Sequence, residues 1–520
     1  EHNTFRVIKR PELGTRTLGY GAHAEGQGNN VFLKAAHAEG QQNISYGSYA
    51  HTEGTKNSAG YCAHAEGAET TASGFWSHAE GKGSSSSGNL AHAEGAESIA
   101  SGRGSHTEGN QTEASGDYAH AEGGKTKALG AATHAEGLST EATGKYAHAE
   151  GNSTKAIGVQ SHTQGHKSTA SGENSHAEGY NTKANGKNSH AEGQETKTAE
   201  AGQASHAEGA NTEANGSASH AEGKSTVANG YASHAEGQGT KVEGARSHAE
   251  GYQSSATGES AHAEGYRTVA SGIYSHIEGE SYNCNADAFN TTNEIITAWG
   301  TAKFARASGQ ASHVEGRNSL AIASCSHAEG HVNIARGSAS HAEGEETQSI
   351  GIYSHSEGKR TKAIGQSSHA EGKDTNASGN ASHAEGCETN ASGSSSHAEG
   401  YRTNAYGDCS HAEGNYSTAT GDWSHAQGFH VDTSSSGLCA HAEGYYTSAV
   451  SRYQHVQGKY NKYDSVNEYA HIVGNGTSDS TKDRNNAHTL DWNGNAWYQG
   501  SVTSNGADYA EFFEWLDGNP

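Results

Sequence analysis

The sequence predicts an all-β protein, a parallel β-solenoid with coils of 14 residues, and three observations carry that prediction. The first is a repeat: Ser-His-Ala-Glu-Gly and its close variants recur 31 times between His23 and His471, mostly 14 residues apart. Gly stands three residues after His in all 31 copies, and Glu two after it in 27; Gln164, Gln427, Gln457 and Val473 are the exceptions. Self-similarity at a short fixed period marks stacked repeats. The second is a fainter copy seven residues on, where Ser205, Ala207 and Gly209 are answered by Thr212, Ala214 and Gly216. Gly every seven residues with no Leu or Ile seam excludes a coiled coil, and two strands with two Gly-bearing turns per coil fit instead. The third is composition: 31% hydrophobic residues and 71 Gly in 520 residues cannot fill several conventional cores.

Side chains alternate across a strand, so Ser205, Ala207 and Gly209 share one face while His206 and Glu208 share the other. A coil of two short strands has a narrow interior, which places the small set inside and His and Glu outside. In the second half of each coil the outward positions vary freely, as with Glu213, Asn215, Lys183 and Thr71, and read as solvated. The unvarying His–Glu face then reads as touching something equally repetitive, another copy of the chain. Residues His206, Glu208, His220, Glu222, His234, Glu236, His383, Glu385, His397 and Glu399 represent this expected interface. Thirty coil intervals at the strand spacing give an expected shaft of roughly 140 Å.

Five segments follow in order: a connector over 1–20, roll over 21–279, an insertion over 280–311, roll over 312–475, and an aromatic-rich C-terminal region over 476–520. The insertion holds Tyr282, Phe289, Trp299 and Phe304, an apolar density unlike its neighbours. It reads as a cover for the roll, or as a ligand-binding protrusion. Tyr and Trp elsewhere recur two before His (Tyr49, Trp76, Tyr118) or four after it (Tyr180, Tyr252, Tyr266), at coil corners where rings can stack or meet sugars. The six Cys are scattered singly; of the four that stand two before a His (Cys62, Cys325, Cys409 and Cys439) the nearest pair, Cys409 and Cys439, lies two coils apart, beyond disulfide reach. Free thiols suit assembly in a reducing cytoplasm.

The arrangement S-x-A-x-G-x-x-[ST]-x-A-x-G over residues 20 to 475 resembles the head repeats of trimeric autotransporter adhesins. The resemblance implies a left-handed parallel β-roll packed as a homotrimer. Those heads carry apolar residues where this chain has His and Glu, so the implied trimer seam is polar. The string Gly506-Ala507-Asp508-Tyr509-Ala510-Glu511-Phe512-Phe513-Glu514-Trp515 resembles the entry to the self-cleaving intramolecular chaperone (peptidase G2-like) of phage tailspikes and neck appendages. That resemblance implies a cleavage region around Asp508, Glu511, Glu514 and Asp517, although acids beside aromatics also read as merely solvated.

Three readings of the His–Glu column stand: a ladder of His–Glu hydrogen bonds holding three chains in register, a column of waters or anions, and axial sites where three His ligate a metal. The ladder is preferred, since each Glu supplies a partner, and no cofactor or metal is expected. The ladder implies that Glu raises the His pKa, with greatest stability in mildly acidic to neutral solution. Net charge is −25, and adding the 36 His would bring it to +11. Of 59 acidic residues 27 are the repeat Glu, which leaves 32 against 34 basic ones. This balance argues against nucleic acid as a partner, and no run of 18 apolar residues suggests a membrane span. The chain begins at Glu1 and contains no Met, so a preceding segment, with the particle anchor, is expected.

The functional expectation is a non-enzymatic, receptor-binding fibre of a phage or tail-like particle, assembled in the bacterial cytoplasm and attaching to a cell-surface glycan or protein. The alternatives are a bacterial trimeric surface adhesin and a glycan-degrading tailspike.

Overall fold

The computed structural model describes residues 14–281 and 305–500. Chain contacts divide it into two units, residues 1–274 and 275–520. Tyr282, Phe289, Trp299 and Phe304 of the insertion, and Asp508, Glu511, Glu514 and Asp517 of the tail, lie outside the described residues.

Each coil contributes one five-residue strand that starts at His and one two-residue strand seven positions later, such as His206–Ala210 and Glu213–Ala214. Each strand pairs in parallel with its equivalent one coil on, like residue against like: His206 with His220, Ala207 with Ala221, Glu208 with Glu222. Every described unit is thus two parallel sheets back to back, the β-solenoid that the period predicts, and the described residues contain no helix. Coils of unequal length keep the register. The two extra residues before His206 turn out at a corner and leave His190 facing His206. In the second unit His276 pairs with His313 across the insertion, and Ala305 N donates to Ser281 Oγ at 2.6 Å where the roll resumes.

The core is made of small side chains. Ala207, Ala214, Ala221 and Ala228 are fully buried, as are Thr212 and Thr226, and Ser205 and Ser219 nearly so. The inward Ser hydroxyl satisfies itself locally, with Ser205 Oγ donating to Gly202 O at 2.7 Å. Val242, Val314 and Val456 are the kind of exception that the interior tolerates. Near the start of the first unit the Thr position is held by Asn29, Asn43 and Asn57. Asn43 Nδ2 reaches Gly54 O at 2.9 Å while its Oδ1 accepts Asn57 N at 2.8 Å, a ladder running from coil to coil.

The corners differ from the expected pair of Gly-bearing turns. The left-handed positions lie two before His and five after it and are mostly not Gly: Asn211 has φ 56°, Ala218 54° and Trp76 55°. Each is held by a bond to the coil before, as where Asn211 N donates to Gln194 O at 2.8 Å and Ala218 N to Gln203 O at 2.7 Å. The repeat Gly answer a different demand. A Cβ on Gly216 would stand 2.0 Å from Gly230 O, and one on Gly209, itself at φ +107°, 2.1 Å from Gly223 O. Backbone passes against backbone there, so a side chain has no place.

Two boundaries move. Arg16–Thr17, within the expected connector, already pairs with Asn30–Val31 in the small sheet. At the other end Tyr469–Asn475 pairs antiparallel with Asn486–Asp491, which pairs with Ala496–Tyr498, so the region after 475 begins by covering the edge of the last coil. Arg484, nearly buried over the Tyr463 ring at 4.4 Å, ties this cover to Tyr446 O at 3.0 Å and Asn461 O at 3.1 Å.

Candidate functional site: the histidine–glutamate face

In-register pairing fixes the geometry of the face. Successive imidazoles lie one strand spacing apart and stack: His206 on His220 and His220 on His234 at 4.8 Å, with ring planes within 8° and 6°. In the second unit His383 lies on His397 at 4.7 Å and 2°. The stacking is lost toward the ends, with His23 edge-on to His37 and His455 tilted 44° from His471. The ten residues expected at an interface therefore form one column in each unit, outward and half-buried apart from the exposed Glu385: His206, Glu208, His220, Glu222, His234 and Glu236 in the first, His383, Glu385, His397 and Glu399 in the second.

The hydrogen-bonded ladder is not formed within a chain. His Nε2 stands 4.0 Å from Glu208, 3.9 Å from Glu222 and 3.9 Å from Glu236 in the three central coils, and 3.6 Å from Glu399 in His397. These separations are too long for hydrogen bonds. Nε2 of His206, His220, His234, His383 and His397 is covered yet has no hydrogen-bond partner in the chain. Stacking dictates this: each ring lies flat on its neighbour, and a residue two along the same strand extends parallel to it.

The electrostatics correct the sequence reading as well. His220, His234 and His397 are held below the ordinary imidazole range, first by burial and then by the neighbouring imidazole, and the Glu carboxylates only partly offset this. His78 falls to about 4 for the same reasons, burial before His92 and His64. The expected rise is therefore reversed. A second imidazole in van der Waals contact disfavours the cation more than a carboxylate almost 4 Å away favours it.

The sequence reading missed one residue that does more than its equivalents. Glu413 Oε2 lies 3.8 Å from His411 Nε2 and 4.0 Å from His425 Nε2, between two rungs. The substitution of Gln427 for the usual Glu is its signal, since the Gln427 amide donates to the other oxygen of Glu413. The column as a whole offers His–Glu–His sets, such as His64, Glu66 and His78, with ligand atoms within 4.8 Å of one another.

The corners carry the aromatic residues. Tyr252 stacks on Tyr266 at 5.0 Å, while Tyr180 stacks on His166 at 5.2 Å. Tyr49, Trp76 and Tyr118 sit at left-handed corners and are exposed. In the second unit Tyr416, His430, Tyr446 and Tyr460 form a run of stacked rings at 4.6, 4.5 and 5.1 Å. Cys62, Cys325, Cys387, Cys409 and Cys439 are free thiols.

Residues 79–105, 170–196 and 249–275 match the family model described as YadA head domain repeat (2 copies). The match falls on the roll and supports adhesin-head-like repeats there. No curated protein matches the chain. No described helix is long and apolar enough to cross a membrane.

Proposed function

We propose that the chain is the repetitive, surface-displayed part of a bacterial trimeric adhesin, non-enzymatic, in which stacked coils present corner and insertion residues to a host or neighbouring surface. One observation carries this: the segments that match YadA head repeats are coils of the roll that carry the same in-register His–Glu column on their outward face. The order of support is the reverse of the sequence expectation, since the family match favours the adhesin over the phage fibre. Three copies placing their columns toward a common axis would cover the orphaned Nε2 atoms and repeat each weak outer site threefold, so that avidity replaces affinity. The phage-fibre reading retains a single support, the tail string from Gly506 to Trp515. The repeated Glu are committed to the column, so the proposal includes no glycan-cleaving step.

Antibody against the roll separates the readings. Labelling of intact producing cells, abolished by brief external protease, is the expected result. Label confined to sedimenting phage-like particles would transfer the proposal to the fibre.

A further inference from the structure

The column stacks like charges. Glu208, Glu222 and Glu236 stand one above the other, one strand spacing apart. Like charges directly opposite each other across a parallel pair repel. The imidazoles beside them stand 3.9–4.0 Å away and form no hydrogen bond to them. The small sheet shows how the same chain avoids this elsewhere. There Glu113, Lys127, Glu141 and Lys155 alternate in register, with Lys127 3.7 Å from Glu113 and Lys155 3.4 Å from Glu141. The His–Glu face has a carboxylate at nearly every coil and no Lys or Arg among its repeated positions.

Beside Glu208, Glu222, Glu236, Glu399 and Glu413 the imidazole nitrogens of His206, His220, His234, His397 and His411 are covered and have no hydrogen-bond partner in the chain. We propose that the face is an array of divalent transition-metal sites, each built from a Glu carboxylate and the Nε2 atoms of two successive His. His411, Glu413 and His425 show the arrangement most fully. One carboxylate oxygen lies 3.8 and 4.0 Å from the two nitrogens, and Gln427 holds the other oxygen by its amide. Bonds of about 2.0–2.2 Å to nitrogen and oxygen span such separations with an ion between the ligand atoms. Bringing two stacked rings onto one ion asks for a rotation about χ2, a torsion with a broad potential. Neutral imidazole with carboxylate is the donor set of Zn²⁺, Ni²⁺, Co²⁺ and Cu²⁺ rather than of Mg²⁺ or Ca²⁺. Each nitrogen has a single lone pair, so one ion occupies two coils. Its two charges then cancel the two carboxylates of those coils. The sites are complete within one chain and do not depend on trimer formation.

The test is a titration of the chelator-treated full chain with Zn²⁺ and with Co²⁺, reading bound metal after dialysis and the visible spectrum of the Co²⁺ form. About one ion per two coils, with nitrogen-ligand bands for Co²⁺ and no competition from excess Mg²⁺ or Ca²⁺, is expected. Saturation at one ion per chain or fewer overturns the proposal, as does equal binding of Ca²⁺. Glu413→Gln should remove about one site and leave the remainder, whereas Glu213→Gln on the small sheet should remove none. If Glu413→Gln disturbs folding, the stoichiometry of the unaltered chain still decides.

Discussion

Acid should loosen the solenoid, and the reason lies in the stacked imidazoles. Twelve His of the first unit are held below their ordinary pKa by burial, with a neighbouring imidazole as the next cause. A group whose folded pKa is depressed binds its proton more readily when unfolded. For a His the stability is then complete above the unfolded pKa of about 6.5 and is lost as pH falls toward the folded value. For His78 the fall to about 4 caps the cost of protonation at about 3 kcal/mol. Its side chain is 35% exposed, and solvent screening reduces that to about 1 kcal/mol. The other eleven shift in the same direction, so the losses accumulate along the stack against a net stability of only about 5–15 kcal/mol for a domain. Thermal melts of the full chain followed by circular dichroism from pH 8 to pH 4 read this directly. The midpoint should be level above pH 7 and drop steadily below 6.5. A midpoint that rises between pH 7.5 and 5.5 would refute the reasoning, because it would show His held charged by Glu.

Three other outcomes follow from the coil. Gly216→Ala should split the stack locally, since its Cβ would stand 2.0 Å from Gly230 O; a lost or multistate melting transition is expected, and an unchanged midpoint counts against the close-approach argument. Thr212→Val should be neutral or stabilising by about 1 kcal/mol, because the buried Thr212 hydroxyl has no hydrogen-bond partner to lose. A loss above about 1 kcal/mol in chemical denaturation would reveal a partner for that hydroxyl. Asn43→Ala removes the side-chain bonds to Glu39 O, Gly54 O and Asn57 N from a fully buried ladder while sparing the backbone bond to Asn29, and should cost about 2–4 kcal/mol, read in the same denaturation experiment; a cost near zero would mean the ladder is dispensable.

Much of this molecule was legible because its interior is set by side-chain size and its exterior by repetition. The alternation of Ser205, Ala207 and Gly209 with His206 and Glu208 gave inside and outside correctly, and a shared spacing gave the in-register pairing. The corners were not legible. Left-handed positions are occupied by Trp76, Asn211, Ala218 and Cys409 alike, so no residue type betrays them; an inter-coil backbone bond does the selecting. The state of the His was also misjudged, for a geometric reason. Sequence spacing places Glu222 two residues from His220, yet that ring stacks between His206 and His234, and burial followed by the His206 imidazole holds it below the ordinary range. Glu413 escaped notice because its role depends on what Gln427 lacks one coil later.

In the proposed trimer copies of the chain meet on the His–Glu face, and the mass of the native particle tests this most directly. Native mass spectrometry at pH 7.5 should give three chains of 53.8 kDa, and the same measurement on a chain with Glu208, Glu222 and Glu236 all replaced by Lys should give smaller species. A single chain in the unaltered protein, or an intact trimer in the Lys variant, would contradict it.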